Sequence, residues 1–84
     1  MKKIEYARDA IKALQRMDRI TASRIEAKIV QYAAEPFSLE SNVKALKRRA
    51  GFMRLRVGDW RVIFTEDLVV LKVIKIAARG NVYD

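Results

Sequence analysis

The 84-residue sequence contains no cysteine and no histidine. A disulfide framework and thiol chemistry are therefore excluded, and the commonest metal ligand and commonest general base are both missing. The sequence also lacks any apolar run near the roughly 18 residues of a membrane span, and its first residues, MKKIEY, lack the apolar core of a signal peptide. These absences remove most enzyme classes and predict a cytoplasmic protein without a metal or another cofactor.

Positive charge is abundant and unevenly distributed. The chain carries 18 Lys+Arg against 10 Asp+Glu, for a formal net charge of +8. Most of the excess lies in residues 42–84, where basic side chains outnumber acidic ones far more than in residues 1–41. This asymmetry indicates a polyanionic partner, which could be nucleic acid, an acidic protein or an anionic membrane surface. A membrane-binding helix would carry its cations along one face, whereas here they concentrate in a loop and a hairpin.

The first half of the chain changes from strand to helix periodicity. Residues 2–6 alternate as a strand, and from Ala7 apolar residues recur at helical spacing, which predicts an amphipathic helix of about three turns. Asp18 and Thr21 are candidate caps for a second helix, and Pro36 prevents that helix from continuing beyond Glu35. The two helices should form an antiparallel hairpin that needs a sheet to cover its apolar face.

The second half predicts a meander of three strands. Residues 37–50 are interpreted as a connecting loop with a possible helical turn around Val43 and Leu46, and strands are predicted near 51–57, 60–66 and 68–76. With 84 residues, the chain forms one domain, residues 1–84. The predicted fold class is α+β, with an N-terminal strand and a two-helix hairpin packed on one face of an antiparallel sheet and the other face open.

The stretch RLRVGDWR, residues 54–61, predicts a hairpin whose register groups arginines. A two-residue Gly58-Asp59 turn pairs Arg56 with Arg61. A second turn at Glu66-Asp67 would then pair Arg61 with Lys72. The open face should therefore form a cationic bowl bordered by apolar residues, with one further arginine and a tyrosine near its rim: Arg54, Arg56, Arg61 and Lys72 inside, Ile63, Val70 and Ile74 as borders, and Arg79 and Tyr83 at the rim.

Such a bowl suits phosphodiester recognition, because guanidinium groups bind phosphate bidentately and a tyrosine can stack on a base. RNA cleavage by the substrate's own 2′-hydroxyl is the most accessible chemistry, although arginine does not serve as an ordinary base. The alternative is that each arginine is simply a solvated residue. The loop cations Lys44, Lys47, Arg48 and Arg49 have the same two interpretations, solvated side chains or contacts to the nucleic-acid backbone.

Several of these segments together resemble the RelE/ParE superfamily of type II toxin–antitoxin toxins. The likeness lies in KALK (residues 44–47), GFMRLRVGDWRVIF (51–64), VIKI (73–76) and RGNVY (79–83). The resemblance implies a fold similar to microbial ribonucleases, a cognate antitoxin as partner, and metal-independent cleavage of mRNA in the ribosomal A site. The family's functional positions correspond to a set of five residues here: Arg54, Arg56, Arg61, Arg79 and Tyr83.

The resemblance leaves more than one activity open. Arg54 and Arg56 stand where the best-studied branch has lysines, which leaves the general base unassigned. The ParE branch inhibits DNA gyrase and cuts no RNA, so a ParE-like protein would be an inhibitor rather than an enzyme. The ending Arg79-Gly80-Asn81-Val82-Tyr83 favours the RelE branch. A non-catalytic module that binds nucleic acid through the bowl is the third alternative.

Overall fold

A computed structural model describes residues 1–79 of the chain. The order of elements is β1 (Lys3–Tyr6), α1 (Arg8–Arg16), α2 (Arg19–Ala34), a 3₁₀ segment (Pro36–Asn42), β2 (Val43–Ala45), β3 (Met53–Val57), β4 (Trp60–Glu66) and β5 (Val70–Ala78). The five strands form one sheet in the order β1-β5-β4-β3-β2, with β1 parallel to β5 and the other pairs antiparallel. Within residues 1–79, no helix is long and apolar enough to cross a membrane. The predicted α+β class is confirmed.

The boundary between α1 and α2 depends on Asp18. Its carboxylate accepts a hydrogen bond from the backbone N–H of Thr21 at 3.0 Å and another from the Thr21 hydroxyl at 2.7 Å. These bonds stabilise the charged form and lower the pKa of Asp18. Asp18 is thus the N-cap of α2, as predicted, and the helix ends at Ala34, two residues before Pro36.

The helices pack on one face of the sheet. Ala10 of α1 and Ile25 and Ile29 of α2 are buried with the inward-facing residues of the central strands, among them Val62 and Phe64. Trp60 packs against this core from its border. Burial of these side chains is the main source of stability and fixes which sheet face remains for other contacts.

The predicted connecting loop contains a strand that the sequence analysis missed. Residues Val43–Ala45 form β2, which pairs with β3 in the register Val43↔Leu55, Lys44↔Arg54 and Ala45↔Met53. The expected helical turn at Val43 is wrong, because Val43 completes a row of inward-facing residues across the sheet. The segment 46–52 then folds back, with the Leu46 N–H donating to the Phe52 carbonyl at 2.9 Å.

The sheet face opposite the helices is less open than predicted. Ile63, which was expected at the border of the bowl, is only 1% exposed, and Leu46 is 5% exposed. Both are buried, although neither belongs to the helix-facing core. Alternation along the strands puts both on the arginine-bearing face. The 46–52 segment therefore covers part of the face that should have been solvent.

The register between β4 and β5 also differs from the prediction. Arg61 pairs with Ala77, and Lys72 pairs with Thr65, so the predicted pair of Arg61 with Lys72 is wrong. One cause is the turn, in which the Asp67 carboxylate accepts hydrogen bonds from the N–H groups of Val69 and Val70 at 2.8 and 2.7 Å. The turn is therefore longer than two residues, and these bonds lower the pKa of Asp67.

The second cause is an irregularity in the middle of the β4–β5 ladder. Ile63 pairs with Lys75 whereas Phe64 pairs with Val73, which leaves Ile74 as an extra residue on β5. An inserted residue of this kind reverses the inward and outward alternation beyond it. Lys75, rather than Lys72, consequently lies in line with the central arginines.

A polar network joins α2, β4 and the N-terminal segment at one side of the core. The Tyr32 hydroxyl donates to Glu66 Oε2 at 2.7 Å, and Lys2 Nζ donates to Glu66 Oε1 at 2.6 Å. Burial, followed by the hydrogen bond and charge of Glu66, raises the pKa of Tyr32. The Tyr32 ring also packs against Phe64, with ring centroids 5.1 Å apart. Tyr32 thus couples polar and apolar contacts between helix and sheet.

Replacing Tyr32 with Phe should lower the free energy of unfolding by about 1–2 kcal/mol, because the charged acceptor Glu66 loses a partly buried donor. Urea denaturation of Tyr32→Phe, Glu66→Ala and the double variant measures the coupling between the two side chains. We expect a coupling of about 1 kcal/mol. Additive effects of the two substitutions would show that the hydrogen bond adds no net stability.

Candidate nucleic-acid interface

The register of the β3–β4 hairpin brings three arginines together on the face opposite the helices. Arg56 pairs directly with Arg61, as predicted, and Arg54 lies two residues before Arg56 on the same face of β3. Lys44 of β2 pairs with Arg54. We call Arg54, Arg56 and Arg61 the arginine cluster. Because these side chains are attached to adjacent strands, their positions depend on the sheet and not on a loop.

The arginine cluster and Lys44 line a shallow depression with a volume of about 160 Å³. The remaining lining residues are Ser41 and Asn42, which end the 3₁₀ segment. Neither residue was predicted to belong to the site, because the sequence pattern did not reveal β2 as a strand. Had Val43–Ala45 been identified as a strand beside β3, Ser41 and Asn42 would have been placed at the end of the arginine row.

The Arg61 side chain is held by its own hairpin turn. It is half-buried, and its Nη1 atom donates hydrogen bonds to the Gly58 carbonyl at 3.0 Å and to the Trp60 carbonyl at 3.1 Å. Burial and the positive charges of Arg54, Arg79 and Arg56 lower the pKa of Arg61, and nearby Asp59 acts in the opposite direction. The protein therefore maintains this guanidinium beside other cations at an electrostatic cost.

Arg79 approaches the cluster from the end of β5. Its backbone N–H donates to the carbonyl of Asp59 at 2.7 Å, which attaches the end of β5 to the hairpin turn. Its charge is one of those that lower the pKa of Arg61. Arg79 thus lies near the arginine cluster, as the sequence predicted. Tyr83, the predicted aromatic partner, lies outside the described residues.

The other predicted RNA-binding residues are dispersed. Lys47 and Arg48 are exposed in the 46–52 segment, where Arg49 lies over the Phe52 ring at 4.4 Å from its centroid. Lys72 is exposed between Thr65 and Glu5, four residues along β4 from the Arg61 position. That separation is about 13 Å at the usual strand rise. Lys72 is therefore at the far end of the arginine face.

The hydrogen-bond donors that line the depression determine which kind of ligand it can bind. Arginine and lysine supply N–H groups and positive charge but no acceptor, and Ser41 and Asn42 add short polar groups. Within residues 1–79, no group of three or more acidic side chains could hold a metal ion. A phosphate group matches this arrangement, because each guanidinium can donate two parallel hydrogen bonds to its oxygens.

Comparison with known proteins agrees with this geometry. Residues 4–83 match the family described as the ParE toxin of the type II toxin–antitoxin system parDE. No curated protein gives a significant sequence match. The family match spans the helix pair, the sheet and the arginine cluster together.

Solved structures with the same fold come from archaea and bacteria. The archaeal RelE–RelB complex from Pyrococcus horikoshii OT3 has a chain 26% identical to this one, with a TM-score of 0.77 over 96% of this chain and 98% of that chain. The intact Escherichia coli RelBE toxin–antitoxin complex gives 15% identity and a TM-score of 0.76 over 98% and 100%. YafQ from E. coli BL21(DE3) gives 13% identity and a TM-score of 0.76 over 95% and 96%.

The fold is therefore that of the RelE structures, and the family match makes the chain a toxin of a type II toxin–antitoxin system. More particularly, the chain belongs to the RelE/ParE superfamily of toxins from type II toxin–antitoxin systems. The resemblance seen in the hairpin and its flanking segments is confirmed at this level.

The arginine cluster should cost folding free energy. Because the pKa of Arg61 is lower in the folded protein, its charged form is disfavoured there at every pH below that value, so the cost persists across the ordinary pH range. Replacing Arg56 with Gln should raise the free energy of unfolding by about 0.5 kcal/mol at low salt, by removing the like charge opposite Arg61.

Urea denaturation at low and high salt checks this expectation. The gain from Arg56→Gln should shrink as salt screens the pair, and Arg48→Gln in the 46–52 segment is the control of equal charge. A destabilised Arg56→Gln variant at low salt would show that the packing of the arginine side chain outweighs its repulsion.

Proposed function

We propose that this toxin is an endoribonuclease that cuts mRNA in the ribosomal A site without a metal ion. The observation that supports the proposal is the convergence of Arg54, Arg56, Arg61 and Lys44 on one depression. Four cations held by adjacent strands form a preorganised site for a phosphodiester. The RNA supplies the attacking group, so the protein needs only to align it and to stabilise charge.

In the proposed reaction, the 2′-hydroxyl oxygen attacks the adjacent phosphorus and loses its proton to a solvent water molecule, while the bond between phosphorus and the 5′-oxygen breaks. The products are a 2′,3′-cyclic phosphate and a 5′-hydroxyl, which receives a proton. Arg56 and Arg61 hold the non-bridging oxygens and stabilise the charge that accumulates on them. Arg54 and Arg79 extend the positive field, and Tyr83 is proposed to stack on a neighbouring base.

Proton transfer is assigned to Lys44. Arginine retains its proton under all ordinary conditions, whereas lysine is a frequent acid–base group in enzymes. Lys44 pairs with Arg54 and lines the same depression as Arg56 and Arg61. We propose that the ammonium group of Lys44 donates the proton to the departing 5′-oxygen.

Replacing Arg61 with Ala should lower cleavage at least about 100-fold, as expected for the loss of one preorganised charge-stabilising donor. The measurement is cleavage of mRNA on programmed ribosomes, with circular dichroism to establish a folded domain. Arg19→Ala, which removes an arginine from the first turn of α2, is the control. Near-normal cleavage by a folded Arg61→Ala variant would rule out the assignment.

Replacing Lys44 with Arg separates charge from proton transfer. The variant should bind RNA as the parent does but cleave about 100-fold more slowly, the lower range for loss of a general acid. Its rate should recover on a substrate with a 5′-thio leaving group, which departs without protonation. If the Lys44→Arg variant cuts the 5′-thio substrate no faster than the ordinary substrate, Lys44 is not the proton donor.

A ParE-like inhibitor of DNA gyrase is the second candidate, and the family match favours it because the family is described as the ParE toxin. The discriminating experiment compares cleavage of ribosome-bound mRNA with accumulation of linear DNA in the presence of gyrase. RNA cleavage supports the endoribonuclease. DNA linearisation supports the inhibitor, and RNA binding without either effect supports a non-catalytic module.

The proposed partner in the cell is a cognate antitoxin, in keeping with the toxin–antitoxin complexes among the structural relatives. It should be acidic where it contacts the arginine cluster and apolar where it crosses the helices. A groove of about 390 Å³ lies between α1 and α2, lined in part by Ile11, Leu14 and Met17. We expect the antitoxin segment that enters this groove to fold on binding.

A further inference from the structure

A second depression, of about 450 Å³, lies between α1, the second half of β5 and Arg49. Its lining includes four cations and one carboxylate: Lys12, Arg16, Arg49, Lys75 and Asp9. Ile63 and Ile74 are among its apolar residues. We call this region the α1 depression. Of its cations, only Arg49 was predicted from the sequence to contact nucleic acid.

The α1 depression lies on the same sheet face as the arginine cluster, on the other side of the buried Ile63. The registers Lys44↔Arg54, Arg54↔Ile63 and Ile63↔Lys75 form one row on the same face. With neighbouring strands about 4.8 Å apart, this row spans about 14 Å. The buried side chain of Ile63 therefore separates two groups of cations, with Arg54 on one side and Lys75 on the other.

The position of α1 follows from the short length of β1. The β1–β5 ladder ends at the pair Tyr6↔Val73, so the later part of β5 has no strand on that side. Buried Ala10 and the partly buried Leu14 fix α1 against the core. Lys12 and Arg16, four residues apart, occupy one side of the helix surface. Both cations are thus held by a packed helix.

We propose that the α1 depression binds the phosphate backbone of RNA nucleotides adjacent to the cleaved one. This inference rests on the proposed function, because it extends the path of the same substrate. Two groups of cations on one sheet face suit a polymer with a negative charge on every residue. The half-buried Ile74 offers an apolar contact for a base or ribose beside those charges. Asp9 opposes the phosphate and moderates its binding.

The first test uses a fluorescent 2′-O-methyl RNA of mixed sequence, about 12 nucleotides long, which binds but cannot be cleaved because the attacking oxygen is blocked. The double variant Lys12→Gln/Arg16→Gln should bind about tenfold more weakly at physiological salt. The slope of log affinity against log salt should fall by about 1.4, or about 0.7 for each lost contact to a single strand.

Two matched controls separate a local effect from net charge. Arg8→Gln/Arg19→Gln removes the same charge from residues that line neither cationic depression, and its affinity should stay within about twofold of the parent. Asp9→Asn should strengthen RNA binding about two- to threefold, whereas Glu26→Gln, in the groove between the helices, should not. Circular dichroism of each variant establishes that the domain is folded.

The outcomes distinguish this inference from the proposed function. If both double variants lost RNA affinity equally, the inference that the α1 depression binds RNA would be refuted. An effect confined to antitoxin binding would refute it as well. Active mRNA cleavage together with unaltered RNA affinity in Lys12→Gln/Arg16→Gln would leave the proposed function standing and refute the inference. If the parent protein cleaved no mRNA but Lys12→Gln/Arg16→Gln selectively lost RNA affinity, RNA binding by the α1 depression would be supported and the endoribonuclease proposal refuted. No RNA binding by the parent protein would refute both.

Discussion

The two-residue turn at Gly58-Asp59 is the constraint on which the rest of the structure depends. Gly58 has a φ of +59°, a conformation that residues with a side chain rarely adopt. A Cβ at this position would also lie 3.2 Å from Nη2 of Arg24. The turn fixes the pairs Leu55↔Val62 and Arg56↔Arg61 at the same time. One register therefore places apolar side chains in the core and arginines on the opposite face, and a shift of one residue would reverse both.

Local signals explain which features the sequence could predict. The Gly-Asp turn, the alternation around it and the cap at Asp18 each act within a few residues, and all three are present in the structure. The helix pair, the α+β class and the pair Arg56↔Arg61 followed from them. Half of the central site was therefore predictable because it belongs to a single hairpin, whose register depends only on its own turn.

Features that depend on distant partners were not predictable in the same way. β2 is only three residues long and is a strand because β3 offers an edge with which it can pair. The extra residue at Ile74 has no local signature, since Val73, Ile74 and Ile76 are all strand-forming residues. Because of these errors, the wrong lysine was assigned to the centre of the site. Lys72 was predicted there, whereas Lys75 and Lys44 lie in line with Arg54. Register errors accumulate with each additional strand.

The like charges of the arginine cluster lower the stability of the fold but suit the binding of an anion. Like charges opposite each other on a sheet destabilise it, and Arg61 is additionally half-buried and bonded to the Gly58 and Trp60 carbonyls. Those bonds restrict the guanidinium before any ligand arrives, so less conformational entropy is lost when an anion binds. A phosphate that enters the cluster also relieves the repulsion between the arginines. If the cluster binds RNA as proposed, the repulsion between its arginines becomes part of the affinity for phosphate, and the packed hairpin beneath them supplies the stability that offsets this repulsion.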